Sequence, residues 1–72
     1  NYMEHTKRQF IESLINTAQE TIWKNELALA YTEKYGIDGA DKEVKIKSCK
    51  HALTQDSEYI KFLQSQLDEN TI

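Results

Sequence analysis

Apolar residues recur along this chain at alternating spacings of three and four. The first series is Ile11, Ile15, Ala18, Ile22 and Leu29, with Asn25 holding one place in it; the second is Ile46, Cys49, Leu53, Ile60, Leu63 and Leu67, with Asp56 holding one place. Such spacing lays each series along one stripe of an α-helix. It predicts helix 1 over about 6–35 and helix 2 over about 41–70. Leu14 and Ala28 widen the first stripe, and Thr6 or a residue just before it caps the start of helix 1. Between the two lies Tyr35-Gly36-Ile37-Asp38-Gly39-Ala40-Asp41, which holds the chain's two glycines in a sequence without proline. Gly36 is expected in the left-handed conformation that ends a helix, Ile37 as the apolar contact that closes the stop, and Asp38 or Asp41 as the cap of helix 2.

A short turn makes the two helices antiparallel. The expected fold is therefore all-α, one domain over 1–72: a long, coiled-coil-like helical hairpin. Pairing residues equidistant from the turn puts Leu29 beside Ile46, Asn25 beside Cys49, Ile22 beside Leu53, Ala18 beside Asp56, Ile15 beside Ile60 and Ile11 beside Leu63, so the seams match layer by layer. Glu26 falls near Lys50 on the flank. A competing reading comes from Thr54-Gln55-Asp56-Ser57-Glu58, which has the residues of a helix start and predicts a three-helix domain with a break near Asp56. The heptad phase runs through Asp56 unchanged, and that favours the continuous hairpin.

Two helices bury one stripe each, and this chain carries more apolar surface than that. Phe10, Leu14, Ala28 and Tyr35 with Thr21 on helix 1, and Ala52, Tyr59 and Phe62 on helix 2, lie on one side of the seam. They form a second face suited to a second copy, giving a homodimeric four-helix bundle. Trp23, Leu27 and Tyr31, four apart with Lys34 continuing the line, point away from the seam. They are a candidate anchor for another protein, since aromatic residues dominate binding hot spots. The competing reading is that helical drift against a 3.5-residue repeat carries this row into the core.

Composition narrows the functions. At 72 residues the chain is near the size where one core stabilises a fold only weakly. Its single cysteine excludes an internal disulfide framework and suits the cytoplasm. No apolar run is long enough to span a membrane, no signal-peptide pattern is present, and Asn1 and Tyr2 read as residues ahead of a natural start at Met3. The net charge of -3 argues against a polyanion-binding surface as a whole. Locally, however, Lys42, Lys45, Lys47, Lys50 and His51 crowd the start of helix 2, where the helix dipole favours acids. Either Glu26 and Glu33 offset them, or they form an anion surface for RNA or DNA phosphates. A hairpin dimer of that kind resembles, in architecture alone, the plasmid copy-number RNA-binding hairpins. The run Ser65-Gln66-Leu67-Asp68 is one residue short of the Ser-Gln-Glu-Leu-Asp motif of the sporulation hairpin phosphatases and lies at the chain's end, so that family is not assigned.

Candidate chemistry is sparse. Cys49 and His51 are two apart, which sends them to different helix faces, and His5 lies near the amino end. No metal set, cofactor motif or catalytic constellation is expected. Asp56 in the seam reads as a register device, a helix cap or, less simply, a proton-transfer carboxylate, with Thr17, Thr21 or a lysine as donors. The expected function is a small non-enzymatic interaction protein, an adaptor or inhibitor. Size and a composition rich in lysine, isoleucine and asparagine suggest a bacterial, phage or plasmid source. The alternative is a nucleic-acid-binding homodimer.

Overall fold

A computed structural model describes residues 2–69, with side chains from Thr6 to Glu69. Helix α1 spans Tyr2–Tyr35 and α2 spans Ala40–Glu69, so all described residues outside 36–39 are helical. The predicted end of helix 2 at Asn70 lies outside the described residues. α1 begins four residues earlier than expected. Nothing between Tyr2 and Thr6 breaks a helix, and once nucleated each added residue contributes one more hydrogen bond.

The two helices pack side by side into a rod measuring 55 × 14 × 12 Å. Every predicted seam position on both helices is buried or half-buried, and Ile11, Ala18, Cys49 and Leu63 are the buried apolar residues. Thr32, three residues after Leu29, extends the stripe by one more step and is buried too. The spacing rule already contained that position; its hydroxyl hid it from a search for apolar residues.

α2 is continuous through Asp56, which removes the three-helix alternative. Local hydrogen bonding explains why. The Thr54 hydroxyl donates back to the Lys50 carbonyl at 3.2 Å, the bond of a threonine inside a helix and not of a cap. Asp56 reaches across the seam instead, where its Oδ2 accepts from Asn25 Nδ2 at 3.4 Å. The threonines expected to serve Asp56 do not: the Thr21 hydroxyl donates to the Thr17 carbonyl of its own helix.

That bond also corrects the layer pairing. Asn25 meets Asp56, where equidistance from the turn placed it beside Cys49, one heptad nearer the turn. Side chains lean toward the start of their own helix. In an antiparallel pair those of α1 lean away from the turn and those of α2 toward it, so a residue of α2 meets one of α1 that lies nearer the turn. An offset of up to one heptad leaves the phase of both stripes intact, and the periodicity alone is blind to it. Among the described residues no ion pair joins Glu26 to Lys50.

The turn differs in detail from the expected stop. Gly36 keeps a helical bond, its N–H donating to the Thr32 carbonyl at 2.8 Å, and the positive φ falls on Gly39, at 149°. With no left-handed residue at Gly36 the chain does not fold back over α1, and Ile37 is 91% exposed. Asp38 accepts from Lys42 Nζ at 3.0 Å, while Asp41 and Glu43 supply the negative charge that the start of α2 favours.

Both glycines are required, for different reasons. A Cβ on Gly36 would run into the Thr32 carbonyl oxygen and crowd the Lys42 side chain, and one on Gly39 would occupy open space with a strained backbone. Gly36→Ala and Gly39→Ala are each expected to cost about 1–3 kcal/mol, lowering the thermal midpoint by several degrees. If either site tolerated a side chain, alanine would instead stabilise the protein by reducing the freedom of its unfolded chain. A midpoint at or above the wild type, followed by circular dichroism, would therefore overturn the turn geometry.

Candidate interaction surface

On α1 the residues at i, i+4 and i+8 lie in a row that drifts slowly around the helix. Trp23, Leu27 and Tyr31 occupy such a row outside the seam with α2, and they are 56%, 71% and 68% exposed. Drift does not carry them into the core. The row extends to Tyr35, whose ring lies 5.2 Å from that of Tyr31 at an interplanar angle of 46°. Lys34 caps the row, with its Nζ 5.3 Å from the centre of the Tyr35 ring, within cation–π range. Sequence reasoning placed Tyr35 on the second apolar face; its ring contact joins it to this row as well.

The second face is continuous with the seam at its inner edge. Leu14, Ala28 and Ala52 are half-buried there, and Tyr59, Phe62 and Phe10 stand farther out at 44%, 57% and 61% exposure. Large residues stand at both ends of this face, Tyr35 beside the turn at 62% exposure and Phe10, Tyr59 and Phe62 toward the open end, with the small Ala28 and Ala52 between. Val44 is a further exposed apolar residue that the stripe analysis did not single out.

The basic group is more dispersed than its sequence suggests. Lys42 is half-buried and held by Asp38. Lys45, Lys47, Lys50 and His51 are exposed, yet at 100° per residue Lys47 and Lys50 share one side of α2 and Lys45 lies on the other. Asp41 and Glu43 are interleaved with them. Beside the turn an open cleft of about 580 Å³ runs between Tyr31, Thr32, Lys42, Lys45 and the connecting residues.

Among the described residues, no helix is long and apolar enough to cross a membrane, and no three His, Cys, Asp or Glu side chains stand close enough to hold a metal ion. Cys49 is a free thiol packed in the seam. The surface therefore offers apolar rows and dispersed charge. Compared with known proteins, the chain matches no family model, no curated protein and no solved structure.

Proposed function

We propose that this chain is a small non-enzymatic protein-interaction module, an adaptor or inhibitor working in the cytoplasm, that docks on a target protein through Trp23, Leu27 and Tyr31. The observation that carries this reading is the exposure of all three residues on a helix whose opposite stripe already makes the seam with α2. Anchors at i, i+4 and i+8 suit a helix lying in an apolar groove. Each large side chain buried on docking contributes about 1.5–3 kcal/mol. Trp23→Ala and Tyr31→Ala, with helicity unchanged, are expected to abolish retention of the target in affinity capture. Retention equal to that of the wild type would refute the assignment.

The same reading includes a homodimer, two hairpins forming a four-helix bundle through Leu14, Ala28, Ala52, Tyr59 and Phe62. Its support is the shape of the single hairpin. The radius of gyration is 16.5 Å, against about 11 Å for a compact domain of this length. The accessible surface is 5789 Å², against about 4,600 Å² for a globule of this mass. The excess is comparable to the ~800 Å² that each partner buries in a standard interface. Light scattering over a range of concentrations is expected to give a dimer mass for the wild type and a monomer mass for Tyr59→Glu. A Tyr59→Glu dimer would move the interface elsewhere.

Exposure of Lys45, Lys47, Lys50 and His51 supports a second reading, a nucleic-acid-binding homodimer. It predicts retention on RNA or DNA that weakens steeply with salt and disappears in Lys45→Glu/Lys47→Glu. The interleaved Asp41 and Glu43 and the tethered Lys42 place it second.

A further inference from the structure

We infer that the cleft beside the turn is a binding site for a carboxylate carried on an apolar body, with Thr32 and Lys45 holding the carboxylate. The site stands apart from the docking row and shares only Tyr31 with it.

The observation that points to a ligand is the Thr32 hydroxyl. Thr32 is 7% exposed, the buried polar residue of the seam. A hydroxyl in such a place is ordinarily hydrogen-bonded, and a helix offers a ready partner: the Thr21 and Thr54 hydroxyls each donate to the carbonyl four residues back. The Thr32 hydroxyl makes no such bond, nor any other to the described residues. Among those residues no fully enclosed side-chain oxygen lacks a partner, so this hydroxyl is open to the outside. The opening beside it is the cleft, which Thr32 lines. A donor held rigidly by burial therefore faces a space where it has no acceptor.

Charge and shape give the class of ligand. Lys45 lines the same cleft, is exposed, and joins no ion pair among the described residues. α2 also begins here. The Glu43 N–H donates to the Gly39 carbonyl at 3.2 Å, which places Gly39 just before the first turn, and glycine has no side chain to cap it. Asp38 is engaged by Lys42 Nζ instead. The uncapped N–H groups of that first turn add positive potential, which Asp41 and Glu43 offset in part. Lys45 thus matches one negative charge, whereas the second charge of a phosphate dianion would stand against Asp41, which also lines the cleft. That balance selects a carboxylate. Tyr31, Ile37 and Ala40 supply the apolar wall, and about 580 Å³ is room for a small molecule.

The test is an NMR titration with phenylpropionate, followed at the backbone amides of Gly36, Gly39 and Lys45. Neutral phenylpropanamide and acetate are titrated in parallel. Saturation in the low millimolar range is the scale for a ligand this small in an open cleft. Saturating shifts with phenylpropionate, and much weaker binding of both comparison compounds, support the site. Thr32→Val keeps the shape and removes the hydroxyl, and is expected to weaken binding about tenfold, as loss of a hydrogen bond to a charged group does. Thr32→Ser is expected to retain binding, and Lys45→Gln to weaken it about threefold, the scale of an exposed charge pair. If Thr32→Val loses helicity, Lys45→Gln and the neutral amide decide. N-acetyl-glycyl-phenylalanine separates two sources of the same chemistry: tighter binding than phenylpropionate marks the end of a peptide, weaker binding a free acid, and the site stands in both cases. The site is overturned by the lack of saturable shifts at the three amides, by equal binding of phenylpropanamide or acetate, or by full affinity in a folded Thr32→Val.

Discussion

Replacing Leu63 with alanine is expected to leave the protein largely unfolded at room temperature, or to lower its thermal midpoint by more than about 10 °C. Leu63 is the most buried residue of the core, at 4% exposure. Truncating a buried leucine removes its transfer free energy and leaves a cavity, at a cost of about 2–5 kcal/mol. A single core in a chain this short rarely supplies more than about 3–5 kcal/mol in total, so the loss is of the same order as the whole stability. Among the described residues no side chain is completely enclosed, so none holds a larger reserve of burial. Leu27→Ala is the matched control. It makes the same chemical change on the exposed row, where substitutions usually move stability by less than about 0.5 kcal/mol. Circular dichroism at 222 nm against temperature separates them. If Leu27→Ala proved the more damaging, the row and the seam would have to exchange roles.

The second large effect concerns the polar layer. Asn25→Leu/Asp56→Leu is expected to raise the thermal midpoint while loosening the register of the hairpin and broadening its association states. The bond between Asn25 and Asp56 is long, at 3.4 Å, so it contributes less than the usual ~0.5–1.5 kcal/mol. Two leucines at half-buried positions would instead add apolar burial on both sides of the seam. The existing layer is therefore best understood as a device of specificity. A polar pair inside an apolar stripe is satisfied only when its members meet, and every alternative register strands them against hydrocarbon. Asn25→Leu alone leaves the Asp56 carboxylate without its amide and is expected to melt below the wild type. Urea melts of the single and double variants, with mass measured alongside, test this. A double variant that melts well below the wild type would show that the pair stabilises the fold outright.

These predictions carry different weights for function. Leu63 and the Asn25–Asp56 pair set whether and how the hairpin forms. Trp23, Leu27 and Tyr31 are exposed outside the seam, and their truncation is expected to leave the seam intact. That separation is what makes the proposed docking row testable, because loss of binding there is not loss of fold.

The sequence by itself determined both helices, the single turn and all thirteen predicted stripe positions, each of which is buried or half-buried. The reason is that an amphipathic pattern held over some thirty residues admits one helical phase, and a local property of that kind is written in the chain. Glycine punctuation was equally local in marking where the turn falls. Which glycine takes the positive φ was not, because that depends on how α1 ends against the start of α2. Three further matters were decided only by tertiary structure. Thr54 and Asp56 have the composition of a helix start, and only the contact across the seam with Asn25 shows that Asp56 has another task. The offset between the helices depends on the lean of side chains in an antiparallel pair, to which a seven-residue repeat is indifferent. The exposure of Trp23, Leu27 and Tyr31 turned on accumulated helical drift, a few degrees per residue that the pattern cannot fix and the packed pair of helices does.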